Sequence, residues 1–245
     1  MRSFVAAVAF LTRVPVGRMV VCDSTDVARS AGSFPFIGIL LGAVYSLAAS
    51  FLKGHLPLAV VAILLVILDA IATGALHFDG LADTADGFGG GKSREDVLRI
   101  MRDHAIGSYG GLALAAVVVL KVTAYTALLN SSNWVVALIL TPAMGRWAIL
   151  LLTATLPYAR QSESVAEGMG KSSLVWGTVV MLVALVAARS LCACVAMVSV
   201  VAVTTLFGLY CRRRIAGITG DTLGANLQLC ECAALLTFLW TGIPQ

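Results

Sequence analysis

Residues 57–91 read PLAVVAILLVILDAIATGALHFDGLADTADGFGGG. The part up to Leu76 contains a single charged residue, Asp69, whereas the remainder contains Asp79, Asp83 and Asp86. An α-helix needs about 20 predominantly apolar residues to cross the hydrocarbon layer of a bilayer, and 57–76 supplies them. In lipid every backbone polar group must be satisfied internally, which leaves helices or a closed barrel. The unbroken apolar run lacks the two-residue alternation of a barrel strand. The stretch therefore predicts a spanning helix that runs into an acidic, glycine-rich boundary.

Further apolar segments lie on both sides, at 33–52, 109–129, 133–156, 173–188, 191–210 and 225–242. Of the 245 residues, 59% are hydrophobic and 12% charged, where a soluble domain has about 45–50% and about 25%. Mean hydropathy is +0.94. The expected fold is all-α: a polytopic integral membrane bundle of about six or seven transmembrane helices. It forms one domain over 1–245, with a cytoplasmic catalytic segment at 77–108. The segment at 173–188 is short, and those at 133–156 and 225–242 carry charge, hence the range. With the N-terminus in the cytoplasm and seven spans, Arg29, Lys92, Arg94, Arg99, Arg102 and Arg212–Arg214 fall inside, and only Lys53 and Arg189 outside. That is the positive-inside pattern. The net charge of +4 thus reflects topology, and no nucleic-acid partner is expected.

The opening MRSFVAAVAFLTRVP has a short apolar run ended by Arg13, which predicts an interfacial helix rather than a signal peptide. The six cysteines form no CxxC pair and read as small buried hydrophobes. Gly38 and Gly42 have the GxxxG spacing that permits close helix packing. Residues 93–104, SREDVLRIMRDH, predict a short amphipathic helix capped by Ser93. Its apolar face of Val97, Leu98 and Met101 is expected to lie on the membrane surface.

If the second helix continued through Asp86, at about 100° per residue the three carboxylates of Asp79, Asp83 and Asp86 would share a sector about 60° wide. Like charges at this spacing repel, so the cluster calls for a counter-charge. Carboxylates that retain water suit Mg²⁺ or Mn²⁺. The GFGGG tail is expected to end the helix and allow close approach of a ligand. A metal beside the basic Lys92, Arg94, Arg99 and Arg102 suggests phosphate chemistry. Arg146, Glu231 and Asp69 lie within spans, where charge is costly and functional by default; Asp69 either pairs with Lys121 or takes part in function. His77 and His104 flank the segment as candidate proton-transfer or phosphate-contact groups.

At this point the chain resembles a known family. TGALHFDGLADTADGFGGG, together with FLTRVPV, GSFPFIGILLGA, RIMRDHAIGSYGG, GRWA and GITGDTLGAN, is similar to the cobalamin synthase (adenosylcobinamide-GDP ribazoletransferase) family over nearly the whole chain. The resemblance implies a membrane-embedded, Mg²⁺-dependent phosphotransferase of the bacterial inner membrane. A hydroxyl of α-ribazole, or of its 5′-phosphate, attacks the phosphate on adenosylcobinamide-GDP. GMP leaves, and adenosylcobalamin or its 5′-phosphate forms. It implies Asp79, Asp83 and Asp86 as ligands of Mg²⁺, and Asp103 or Asp86 as proton acceptor. Arg102 and Arg146 would face the pyrophosphate, with His77 also in the catalytic set. Gly87, Gly89, Gly90, Lys92 and His104 would contact substrate, and Asp221 would add to the metal or orient a substrate. The partners implied are the two substrates and the lipid bilayer, with a homo-oligomer left open. Two other readings compete. A CDP-alcohol-type lipid phosphotransferase also sets aspartates at helical spacing around a metal, but 77–91 lacks the arginine of that motif. A cation transporter would use Asp69, Arg146 and Glu231 as an ion path, but no repeat is visible in the sequence and the acidic cluster is expected at the cytoplasmic boundary.

Overall fold

The computed structural model describes residues 2–18, 24–103, 105–160 and 169–242. The α-helices are α1 (Arg2–Leu11), α2 (Ser24–Ser30), α3 (Phe34–Leu52), α4 (Leu58–Thr73), α5 (Leu76–Gly90) and α6 (Arg94–Ile100), followed by α7 (Ser108–Leu128), α8 (Trp134–Thr155), α9 (Lys171–Ala188), α10 (Leu191–Ile215) and α11 (Gly220–Gly242). Six helical stretches among the described residues are long and apolar enough to cross a membrane, and a bent pair, α4 with α5, makes up to seven. The protein is a multi-pass helical membrane bundle. Leu182, Val183 and Val186 on α9, and Leu191, Val198 and Leu206 on α10, are exposed. Apolar surface on this scale suits lipid rather than water. The short α1 buries Ala6, Ala7 and Leu11.

Helices α8 and α11 form the buried centre. Helix α3 packs most closely on α8, and the GxxxG pair explains why. A Cβ at Gly38 would run into the Ala143 backbone, and one at Gly42 into the Leu138 carbonyl. Small residues let two backbones approach, and dispersion over the contact does the rest.

The second apolar segment departs from its expected form. It is not one helix through Asp86 but two, bent by 92°. Gly74 caps α4 in the left-handed region at φ +65, and Ala75 follows at φ +57. The Gly74 N–H still bonds back to the Ala70 and Ile71 carbonyls, the usual glycine stop. Arg13 lies directly against Gly74, where a Cβ would overlap its guanidinium. The aspartates survive the break because Asp79, Asp83 and Asp86 all fall on α5.

Ser93 caps α6 by accepting from the Asp96 N–H at 3.1 Å. Its apolar face packs inward, not onto the bilayer as expected: Val97 and Met101 form a small cluster with Ala159 and Ile215. Arg94 donates to the Ile215 and Ala159 carbonyls, and Arg214 to those of Phe88 and Gly91. These four bonds gather the 88–94, 159 and 211–215 segments at one end. Lys53 reaches the Leu129 carbonyl and lies over the Trp134 ring, marking the other end. The loops share ends as the distribution of basic residues predicted. The five cysteines described are free; Cys22 lies outside the described residues.

Candidate active site

The site is built where α5 meets α11. Two glycines allow the approach: a Cβ at Gly80 would stand 2.7 Å from the Asp221 carbonyl oxygen, and one at Gly224 would stand 3.2 Å from the His77 Cα. The two helices therefore touch backbone to backbone, and Asp221 is carried to the acidic face of α5. Its segment is folded locally. Ala216, at φ +57, ends α10, and an isolated parallel bridge joins Tyr158 to Ile218 through Ala159 N–H to Ile218 O at 2.8 Å and Ile218 N–H to Pro157 O at 2.9 Å. Thr219 and Thr222 then cap each other's N–H groups at the start of α11. The bridge sets Arg160 beside Asp221, which it pairs at 2.8 Å.

Asp79 is exposed, and Asp83 and Asp221 are half-buried. The charges acting on Asp83 are those of Asp79, Asp221, Arg160 and Asp86. The cluster is thus three carboxylates from two helices with one arginine at its edge. Asp86 faces elsewhere. It is 9% exposed and accepts the Gly107 N–H at 2.7 Å and the Gly110 N–H at 2.9 Å. A carboxylate in that position complements the positive N-terminal end of α7. Of the expected trio, Asp79 and Asp83 stand together with Asp221, while the Asp86 carboxylate is engaged by the start of α7.

The glycine tail is helical through Gly90, rather than a helix-ending loop. Cβ atoms at Gly87 and Gly89 would strike the Met101 side chain and the Tyr109 ring, whereas Gly90 has ordinary room. Packing of α5 against its neighbours therefore accounts for the first two. Lys92, Arg102 and Asp103 are exposed around α6, and Asp103 accepts the Ala105 N–H at 3.2 Å. His104 lies outside the described residues.

Arg146 is not on the surface of the site. It is 0% exposed, donating to the Pro142 carbonyl at 3.0 Å and to Glu231 at 3.4 Å. Glu231 also takes Lys121 at 2.6 Å, and Lys121 takes Asp69 at 3.4 Å. The Tyr45 hydroxyl donates to Asp69 at 2.9 Å. Two acids and two bases from α4, α7, α8 and α11 thus neutralise one another inside the bundle. His77 is 3% exposed and lies between this network and the site.

Arg160 joins the acidic cluster without having been expected there. It follows TLPYA with no spacing to mark it, and only the bridge to 217–219 reveals its partner.

The donor set suits a hard cation. Among the described residues no three His, Cys, Asp or Glu side chains close into a ligand cage. Mg²⁺ does not require one: it keeps several waters and is held by one or two carboxylates together with substrate phosphates. Asp79 and Asp83, with Asp221 opposite, meet that description.

The cobalamin-5-phosphate synthase family model matches residues 3–239. The chain belongs to this family. The adenosylcobinamide-GDP ribazoletransferase of Rhizobium etli (strain CIAT 652) is 39% identical over 243 residues, covering 94% of this chain and 93% of that protein. Those of Clostridium botulinum (strain Langeland) and Shewanella frigidimarina are each 34% identical, covering 98% of this chain and 98% and 95% of theirs. No solved structure matches. The cobalamin-5-phosphate synthase match spans every element that builds the site, from α5 through the 157–160 bridge to α11.

Proposed function

We propose that this member of the cobalamin-5-phosphate synthase family joins adenosylcobinamide-GDP to α-ribazole, or to α-ribazole 5′-phosphate. The products are adenosylcobalamin or its 5′-phosphate, and GMP. The reaction depends on Mg²⁺ and takes place at the cytoplasmic face of the inner membrane. Besides family membership, one observation carries the reading: α5 and α11 press together at Gly80 so that Asp79, Asp83 and Asp221 share one face. A protein that only needed to span the membrane would gain nothing from three crowded like charges.

Asp79 and Asp83 would hold the cation, with Asp221 across from them. When bound, it neutralises phosphate oxygens and stabilises the leaving phosphate. Every other part belongs to the chain's own residues. Arg160 pairs with Asp221 and orients it. Lys92 and Arg102 offer exposed positive charge to the pyrophosphate. Arg146 acts from behind, through Glu231 of α11. The attacking ribazole hydroxyl gives its proton to a carboxylate. Asp103, exposed at the end of α6, is the proposed acceptor, because Asp86 is committed to two backbone N–H groups.

The α4–α5 break is a feature shared with transporters. Against transport, the intramembrane charges are paired with one another, leaving no open relay. The test is turnover of the purified chain in liposomes with both substrates and Mg²⁺, following GMP and cobalamin by chromatography. Equal, metal-dependent release of both products that is lost in Asp79→Asn supports the transferase. Divalent-ion flux without substrate, and no product, would replace it with transport.

A further inference from the structure

A cavity of about 250 Å³ opens beside the acidic face, between α5, α8 and α11. One side is apolar, made by Phe10, Leu76, Ile149, Met169 and Leu223; Asp79 and Asp221 stand at its rim. His77 also lines it. The His77 ring is buried, 3% exposed, yet no hydrogen bond joins it to another described residue. A buried imidazole normally finds a partner. Here the residue borders the cavity. Gly220 borders the same space, and a Cβ placed there meets no atom within 4 Å.

Whole ligands of drug size occupy pockets of about 300–1,000 Å³, so this cavity takes a fragment of a substrate. The corrin macrocycle is too large. A guanine or adenine edge carries several donors and acceptors, and apolar walls would leave them unpaired at a cost of about 1–3 kcal/mol each. A phosphate belongs at the rim, where Asp79 and Asp221 would hold the cation, and not among the apolar walls. What remains is a flat, largely apolar base with a single polar position. Resting on the transferase reading above, we propose that the cavity is the base slot of the attacking nucleoside. It holds the benzimidazole ring of ribazole between Leu76, Ile149 and Leu223, and His77 donates to the bare ring nitrogen. A neutral imidazole has one N–H to give, and a benzimidazole nucleoside has one bare nitrogen to receive it. The attached ribose then emerges at the rim, where its hydroxyl meets the acidic face. His77 thereby sets specificity rather than moving a proton.

The experiment uses the full chain in liposomes and measures KM for ribazole and for adenosylcobinamide-GDP separately. Gly220→Leu fills the slot from a position where the fold has room. It should raise the KM for ribazole about tenfold or more, the scale at which pockets discriminate single groups, with the KM for adenosylcobinamide-GDP little changed. An indole riboside has the same shape without the bare nitrogen. The natural chain should prefer ribazole over it by about tenfold or more. His77→Leu should abolish that preference, and His77→Gln, which keeps a donor, should restore part of it. Equal KM values in folded Gly220→Leu, or an unchanged base preference in His77→Leu, overturn the slot. A natural chain that turns over while Gly220→Leu binds ribazole normally overturns the slot and leaves the transferase standing. A natural chain with no turnover sinks the transferase reading instead. Ribazole binding, followed by its own fluorescence, then decides the slot alone: binding lost in Gly220→Leu upholds it, and binding kept overturns it.

Discussion

Two groups of charges occupy this bundle, and they are built on opposite principles. Asp69, Lys121, Arg146 and Glu231 lie wholly inside, each engaged in at least one ion pair. Asp79, Asp83 and Asp221 lie where α5 meets α11, exposed or half-buried, with one arginine paired to one of them. Burial dictates the first arrangement, since an uncompensated charge away from water is far costlier than a matched pair. The second is tolerable only where water, or a cation, can reach it. The contrast separates charges that hold helices together from charges that wait for a ligand.

The contrast can be broken most severely at Glu231. Glu231→Ala leaves Arg146 without an ion-pair partner and Lys121 with Asp69 alone, and should cost about 3–5 kcal/mol of stability. Thermal melting of the detergent-solubilised protein would register this as loss of the folded peak; an unchanged melt would mean that the network is not structural. Asp83→Asn should act in the opposite sense, cutting turnover on the order of 10²–10³-fold while the melt stays level or rises, because a like-charge repulsion is relieved. Gly80→Ala tests the geometry joining the two helices. Its Cβ would stand 2.7 Å from the Asp221 carbonyl, so the helices must part, at about 1–3 kcal/mol and with reduced turnover. Equal activity and stability would show that the close approach is dispensable. Arg160→Gln removes the partner of Asp221 at a pair whose side chains keep 15% and 23% exposure. Turnover should fall about tenfold, as for supporting residues of metal sites, without a change in melting temperature. The smallest effect is expected at the helix break, where Ala75→Gly relieves a left-handed backbone and should stabilise the fold by about 0.5–1 kcal/mol.

Much of this was legible from residues alone. Apolar length locates the spans, because the bilayer imposes one dominant constraint on composition. The GxxxG pair and the Ser93 cap are local patterns, and both hold. The break after α4 was hidden: Gly74 resembles any glycine in a membrane helix, and Ala75 carries no left-handed signature. The turn is held from outside by Arg13, a contact no window of sequence contains. Periodicity put Asp86 with Asp79 and Asp83, and on α5 the spacing is as expected. Its carboxylate is claimed by the start of α7, a tertiary event. Asp221 comes to lie beside Asp79 and Asp83 because a parallel bridge between 157–159 and 218 folds the α10–α11 turn back. Long-range backbone pairing of that kind leaves no mark in composition.

The break also bears on how the protein is made. At about 1.5 Å per residue, α4 and α5 reach only about 24 and 22 Å, less than the roughly 30 Å of hydrocarbon each would have to cross alone. Neither half is an independent stop for the insertion machinery. The polar side of α5 finds its main partner in α11, a helix synthesised far later. The catalytic face therefore cannot be completed as α5 leaves the ribosome. It must wait, partly solvated at the membrane boundary, until the distal helix is inserted and closes over it. Assembly of the active centre is thus a late, post-insertion event, and a chain truncated before α11 would reach the membrane without one.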